Sequence, residues 1–141
     1  MNVQRSVRRR RGAAAIEFAM WIPVLAVLFS GIVDVSWMMS RQHNVVRAAR
    51  DGARVGAVII EDGAVTPGTD ITRVAEEHAV SILNGVGMTC DGGCKVTATY
   101  VTSPRAMVTV HVEYDFVPLM GLIPLSTTLT TSFTMMAQQQ T

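Results

Sequence analysis

The longest apolar stretch of the chain runs from Ala13 to Val33 and contains a single charged residue, Glu17. At about 1.5 Å per residue, a helix of this length spans roughly 31 Å, which is close to the hydrocarbon thickness of a bilayer. Asp34 follows where the aqueous phase is expected to begin, and Trp37 fits the aromatic belt of a membrane interface. The pattern therefore predicts a membrane-spanning helix.

This helix is expected to continue through residues 36–60, because the segment lacks proline and consists mainly of helix-compatible residues. Small residues recur there at every fourth position and so share one side of the helix: Ala48, Gly52 and Gly56, with Ala49, Ala53 and Ala57 beside them. Such a face lets another backbone approach closely. Two partners are compatible with it, namely the protein's own sheet and a neighbouring subunit.

Residues 70–87 carry apolar side chains at helical spacing and predict a second helix. Asp70 or Thr69 is suited to its N-terminus, and Gly85 or Gly87 is suited to its end. His78 falls on the apolar side of this helix, which is typical of a histidine at the edge of a core.

The last third of the chain alternates apolar and polar residues, as strands do. Three such stretches occur, at 95–102, 107–117 and about 125–136. The sequence therefore predicts an α+β fold with a pilin-like arrangement, in which a long N-terminal helix and a second helix accompany a small three-stranded antiparallel sheet.

Charge is distributed unevenly along the chain. Five of the 12 basic residues precede Gly12, whereas residues 13–141 contain seven basic and eleven acidic residues. Because basic residues stay on the cytoplasmic side of a span, four segments are expected. They are a cytoplasmic basic leader (1–12), a transmembrane helix (13–35), an exported continuation of that helix (36–60) and an exported α+β domain (61–141).

The arginines adjoin a membrane span without aromatic or polar readers beside them, so we predict no nucleic-acid binding. The apolar run is too long for an ordinary signal peptide, and no A-x-A cleavage site follows it closely. Two options remain, namely an uncleaved anchor and cleavage just after the arginines.

The two cysteines, Cys90 and Cys94, flank Asp-Gly-Gly. A disulfide across this tight turn suits an exported domain. The spacing differs from the C-x-x-C of redox proteins, and a metal site with His78 or His111 would lack a second pair of ligands. We therefore predict a disulfide and no metal.

Catalytic motifs are absent from the sequence, because it contains no G-x-S-x-G, phosphate-binding loop or H-E-x-x-H. A secreted thiol enzyme is disfavoured, since no base accompanies either cysteine. We predict neither enzymatic activity, nor a cofactor, nor a small-molecule substrate.

Glu17 lies within the predicted span, where a carboxylate is costly. In one interpretation, it reaches the nearby headgroups. In the other, the Gly12–Ala13 bond is cut, and the new amine of Ala13, one helical turn away, neutralises Glu17 within the chain or in a neighbour. A carboxylate in the first turn also complements the helix dipole.

The stretch R-G-A-A-A-I-E-F, ending at Phe18, resembles the type IV prepilin processing site of the Flp/Tad class. More closely, the chain resembles the TadE-like proteins, pseudopilins of tight-adherence pilus systems. The block VVRAARDGARVGAV (45–58) is similar to the A-A-R-E-G-A-R block of that family, and the tail resembles its terminal strands. Phe18 stands where Flp pilins usually have tyrosine.

The resemblance implies a structural or assembly component of a Tad-type pilus, located in the inner membrane and cut by a prepilin peptidase after Gly12. The processing site would comprise Gly12, Ala13, Glu17 and Phe18, and Glu17 would pair subunits within the membrane. Other pilin-like subunits and the Tad machinery would be its partners. The alternative is an uncleaved, single-pass, membrane-anchored extracytoplasmic binding module.

Overall fold

The computed structural model describes residues 4–61, 69–90, 92–102, 105–121 and 128–136. Its elements in chain order are α1 Gln4–Glu61, α2 Thr69–Gly85, β1 Cys94–Val101, β2 Met107–Asp115 and β3 Thr128–Met136. The predicted α+β fold with a long N-terminal helix, a second helix and a three-stranded antiparallel sheet is confirmed. The whole segment between the helices (62–68) and the last residues (137–141) lie outside the described residues.

The described residues form two compact units. One contains α1 up to Trp37 together with the segment that begins at Pro118. The other contains the chain from Met38 to Val117 and strand β3. The chain from Pro118 is therefore grouped with the first part of α1 and not with the sheet.

Helix α1 is continuous over 58 residues and includes Pro23. A proline inside a helix removes one backbone hydrogen bond, a loss that membrane helices accommodate. The predicted continuation of the helix through residues 36–60 is present in the structure.

The core of the second unit is built from the small-residue face of α1, one side of α2 and the inner face of the sheet. Its buried members are Val45, Ala48, Ala49, Ala53, Ile71, Ala75, Ala79, Leu83, Met88, Val108, Val110 and Val112. Alanine dominates where the two helices meet, and valine dominates on the sheet. Small side chains on both helices allow the helix axes to approach closely.

Gly52 and Gly56 lie where that approach is tightest. A Cβ atom on Gly52 would lie 2.8 Å from the carbonyl oxygen of Ala75 and 3.0 Å from Cβ of Ala79, both on α2. On Gly56 it would lie 3.0 Å from a methyl group of Val108, on β2. Gly52 thus packs against α2, and Gly56 packs against both α2 and the sheet of the same chain.

Helix α2 follows the predicted apolar pattern and ends in a Schellman motif. The N–H of Met88 donates to the carbonyl of Leu83 (2.9 Å), and the N–H of Gly87 donates to that of Asn84 (3.0 Å). Gly87 has a φ of 71°, a left-handed conformation that glycine adopts at no steric cost. The side chains of Leu83 and Met88 are both buried, as the motif requires.

The sheet has the strand order β1-β2-β3, with both pairs antiparallel. The inner face of β2 includes Val108, Val110 and Val112, which are buried as the alternation predicts. The register pairs Val110 with Ala98 on β1 and with Phe133 on β3. Strand β2 ends two residues earlier than predicted, at Asp115, because that residue pairs with the first residue of β3.

The predicted disulfide between Cys90 and Cys94 is present, with Cα atoms 4.6 Å apart. Gly92, within the turn, has a φ of 90° and donates its N–H to the carbonyl of Cys90 (2.8 Å). Closing so short a ring contributes only about 2 kcal/mol in the loop-entropy model. The bond therefore fixes the turn that leads into β1 and adds little to global stability.

We expect Gly52→Ala to lower the free energy of unfolding by about 1–3 kcal/mol, since the new methyl group would overlap the α2 backbone. This loss should occur although alanine is intrinsically the better helix former. Gly85→Ala is the matched control, because nothing lies within 4 Å of a Cβ atom there. It should be neutral or slightly stabilising.

Denaturant unfolding of the detergent-solubilised chain, followed by circular dichroism, measures both variants. Equal and small effects at positions 52 and 85 would show that the helices are not in close contact.

Candidate functional site

The first half of α1 presents an apolar surface that the chain leaves uncovered. We call residues 14–35 the uncovered segment. Most of its large apolar side chains are more than 40% exposed, and they point in all directions around the helix: Ile16, Phe18, Met20, Trp21, Ile22, Val24, Leu25, Val27, Leu28, Phe29, Ile32 and Val35. An apolar surface of this extent marks contact with a membrane or another protein.

Length and composition make α1 able to cross a membrane, and it is the one helix with this property among the described residues. Only 11% of its most apolar window is buried. The core helix of a soluble protein would be mostly buried, so the observed exposure fits a single-pass membrane anchor near the N-terminus.

The predicted processing residues lie on successive turns at the start of the uncovered segment. Gly12 and Ala13 are both helical. A Cβ atom on Gly12 would meet nothing within 4 Å. Glu17 is exposed and lies one turn after Ala13 on the same side of the helix. Phe18 is 65% exposed. These residues adjoin one another along the helix, and Gly12, Glu17 and Phe18 are open to another molecule.

Glu17 has no hydrogen bond or ion pair among the residues that the structure describes. This exposed carboxylate is therefore accessible to another molecule.

Asp34, by contrast, is fully buried and bonded within the chain. The backbone N–H of Met120 donates to Oδ1 of Asp34 (2.8 Å), and the N–H of Gly121 donates to Oδ2 (3.1 Å). Gly121 has a φ of 66°, a conformation open to glycine without strain. The carboxylate of Asp34 therefore has partners inside the protein, a role that the sequence pattern did not predict.

The side of α1 that bears Asp34 differs from the rest of the uncovered segment. Within residues 14–37, the buried positions are Ser30, Gly31 and Asp34, whose spacing places them on one side of the helix. The hydroxyl of Ser30 has no hydrogen-bond partner among the described residues. Sequence patterns did not identify this side of α1. The one signal in the sequence was the run of ten residues without a polar side chain at 116–125, which contains the two residues that bind Asp34.

A shallow groove lies between α1 and α2 in the second unit. Its volume is about 410 Å³, and its lining residues are Asp51, Arg54, Val55, Val58, Ile59 and His78. His78 is exposed at the rim of this groove. It is therefore outside the core, although the helical pattern placed it on the apolar side of α2.

The described residues contain no cluster of three or more His, Cys, Asp or Glu side chains that could hold a metal. Cys90 and Cys94 are joined to each other. In this state neither sulfur atom is a thiol that could act as a nucleophile.

We expect Asp34→Ala to free the segment after Pro118, because it leaves two backbone N–H groups without their acceptor. Each such loss costs about 1–3 kcal/mol. Amide hydrogen exchange of Met120 and Gly121 should accelerate at least tenfold, which corresponds to about 1.4 kcal/mol. Asp115→Ala is the control, since that exposed side chain accepts only a 3.4 Å bond from Thr128. Unchanged exchange in Asp34→Ala would contradict the anchoring role.

Part of the sequence matches a known protein family. The sequence model described as "TadE-like protein" matches residues 12–54, which include Gly12, Glu17, Gly52 and the whole uncovered segment. No curated protein and no solved structure matches the chain. The match confirms the family resemblance inferred from the sequence, and it identifies residues 12–54 as TadE-like sequence.

Proposed function

We propose that this protein is a pilin-like (pseudopilin) component that builds or initiates a Tad-type type IV pilus. A prepilin peptidase would cut it after Gly12, and residues 13–35 would anchor it in the inner membrane. One observation chiefly supports this proposal: the uncovered apolar segment begins within a G-x4-E-F sequence, residues 12–18, inside the TadE-like match.

The charge distribution supports the orientation, with the N-terminus cytoplasmic. The arginines before Gly12 favour retention on that side. The disulfide between Cys90 and Cys94 is suited to an oxidising compartment outside the cytoplasm. Both features agree with an exported core in which the sheet and α2 lie beyond the membrane.

The local structure at Gly12 is suited to processing. Apart from the adjacent residues and backbone of its own helix, no described atom lies within 4 Å of the position that a Cβ atom would occupy on Gly12, so a peptidase can approach this residue from its Cα side. Glycine also weakens a helix by about 1 kcal/mol relative to alanine. Local opening of α1, which the cleavage of a helical peptide bond requires, is therefore easier here than among the following alanines.

Cleavage would change the electrostatics of the uncovered segment. The mature chain would begin with a positive amine at Ala13, one turn from the exposed carboxylate of Glu17. A carboxylate at the centre of a bilayer costs about 2.5–3.5 kcal/mol, and less near an interface. Pairing with the amine of a neighbouring subunit offsets this cost and sets the relative height of two subunits.

The alternative function is an uncleaved, membrane-anchored extracytoplasmic binding module that uses the groove beside His78. A binding module of this kind would have the same membrane anchor and the same fold as a pilin-like protein. It gives no role to Gly12 and Glu17 at their observed spacing, and for this reason we favour the pilin-like function.

We expect Glu17→Gln to insert into the membrane as well as the wild type but to lose association with its partners. The amide removes the charge, so the partner's amine is left without a counter-ion in a poorly solvated place. Recovery of pilin-like subunits by co-purification should fall at least tenfold. Glu77→Gln is the matched control, because Glu77 forms only an exposed ion pair with Arg73 (2.8 Å).

Insertion, cleavage and co-purification should be measured together for both variants. Normal co-purification of the Glu17→Gln protein would refute the pairing role, whereas loss in both variants would show that the assay reports general destabilisation.

A further inference from the structure

We propose that the segment Pro118–Gly121, here called the apolar loop, is a second membrane contact that inserts into the lipid interface beside the exported end of the membrane helix. Its partner is the boundary between the headgroups and acyl chains of the bilayer. The inference requires that α1 crosses the membrane. It does not require cleavage after Gly12 or a role in a pilus.

The sequence of the apolar loop is unusual for a connection exposed to water. The run FVPLMGLIPL, residues 116–125, contains no charged side chain and none that forms hydrogen bonds. Surface loops are normally rich in Gly, Asn, Asp and Ser. In the structure, Leu119 is 61% exposed and Met120 is 57% exposed. The loop therefore presents large apolar side chains that the chain itself does not cover.

The position of the apolar loop is fixed by Asp34. The two hydrogen bonds from the N–H groups of Met120 and Gly121, at 2.8 and 3.1 Å, tie the loop to the residue that directly follows the apolar run of α1. The loop and this part of α1 belong to the same compact unit. If α1 crosses a bilayer, the loop lies at the level where the span ends.

Non-helical backbone at membrane depth requires that its polar groups have partners inside the protein, and the same bonds meet this requirement for two N–H groups of the loop. Asp34 supplies two acceptor oxygens and is itself fully buried. Gly121 takes up a left-handed conformation beside it. Two successive amides are thus satisfied, while the adjacent side chains of Leu119 and Met120 are exposed.

Lipid is the partner that the surrounding surface favours. The neighbouring exposed residues of α1, Ile32, Val33 and Val35, are all apolar, so the loop extends a surface that already fits a bilayer. The loop has no charged residue with which to recognise a particular protein. Apolar side chains beside the end of a span are stabilised at the interface without specific contacts.

The test uses the full chain in phosphatidylcholine vesicles that contain lipids spin-labelled at a shallow position. Both native cysteines are in the disulfide, so Leu119→Cys introduces one thiol for an environment-sensitive fluorophore. Ile32→Cys, on the uncovered segment, is the positive control. Thr130→Cys, at an exposed position of β3, is the control for a label in water.

We expect the label at position 119 to be quenched by the shallow spin-labelled lipid at least threefold more than the label at position 130, and to emit at shorter wavelength. The vesicles contain no other protein, so such quenching identifies lipid as the partner. Quenching at 119 that is no stronger than at 130 would overturn the proposal and point to a protein partner instead.

A second variant tests the anchor separately. Adding Asp34→Ala to the Leu119→Cys chain should reduce the quenching at position 119 at least twofold, because the loop is no longer held at the end of the span. Quenching at position 32 should not change. If quenching at 119 is insensitive to Asp34→Ala, the anchor does not set the depth of the loop, and that part of the proposal is wrong. Neither measurement depends on the peptidase or on Glu17, so the pilin-like function could fail while this inference holds.

Discussion

The close approach of α1 to α2 at Gly52 is the contact on which the core of the second unit depends. The small-residue face of α1 is covered by its own chain, because Gly52 packs against α2 and Gly56 packs against α2 and β2. That face is therefore not a free surface for a neighbouring subunit. What α1 leaves for other molecules is the uncovered segment, residues 14–35, where the apolar side chains have no cover. One helix thus provides both the internal packing surface and the external one.

The two carboxylates on the first part of α1 differ in burial and in hydrogen bonding. Asp34 is buried, and two backbone amides satisfy it. Glu17 is exposed and has no such partner among the described residues. Burying a charged group is costly unless it is paired and hydrogen-bonded. Asp34 is therefore a structural anchor, whereas the proposed function assigns the partner of Glu17 to a cleaved N-terminus or another subunit.

Local periodicity accounts for the parts of this fold that could be predicted from the sequence. The apolar spacing of α2, the alternation in β2 and the close pair Cys90 and Cys94 are all short-range signals. The bond between Asp34 and Met120 joins residues 86 positions apart, and no local pattern reports it. His78 sits at the edge of the apolar side of α2, where spacing alone does not separate core from rim. The end of β2 depends on where β3 begins, which is again a long-range property.

The mature N-terminus tests the central claim most directly, because both the cleavage and the pairing of Glu17 depend on it. Mass spectrometry should be applied to protein recovered from membranes of cells that carry the Tad machinery. The account predicts a chain that begins at Ala13, with residues 1–12 removed. Functional protein that still begins at residue 1 or 2 would contradict it and would favour the uncleaved membrane-anchored module.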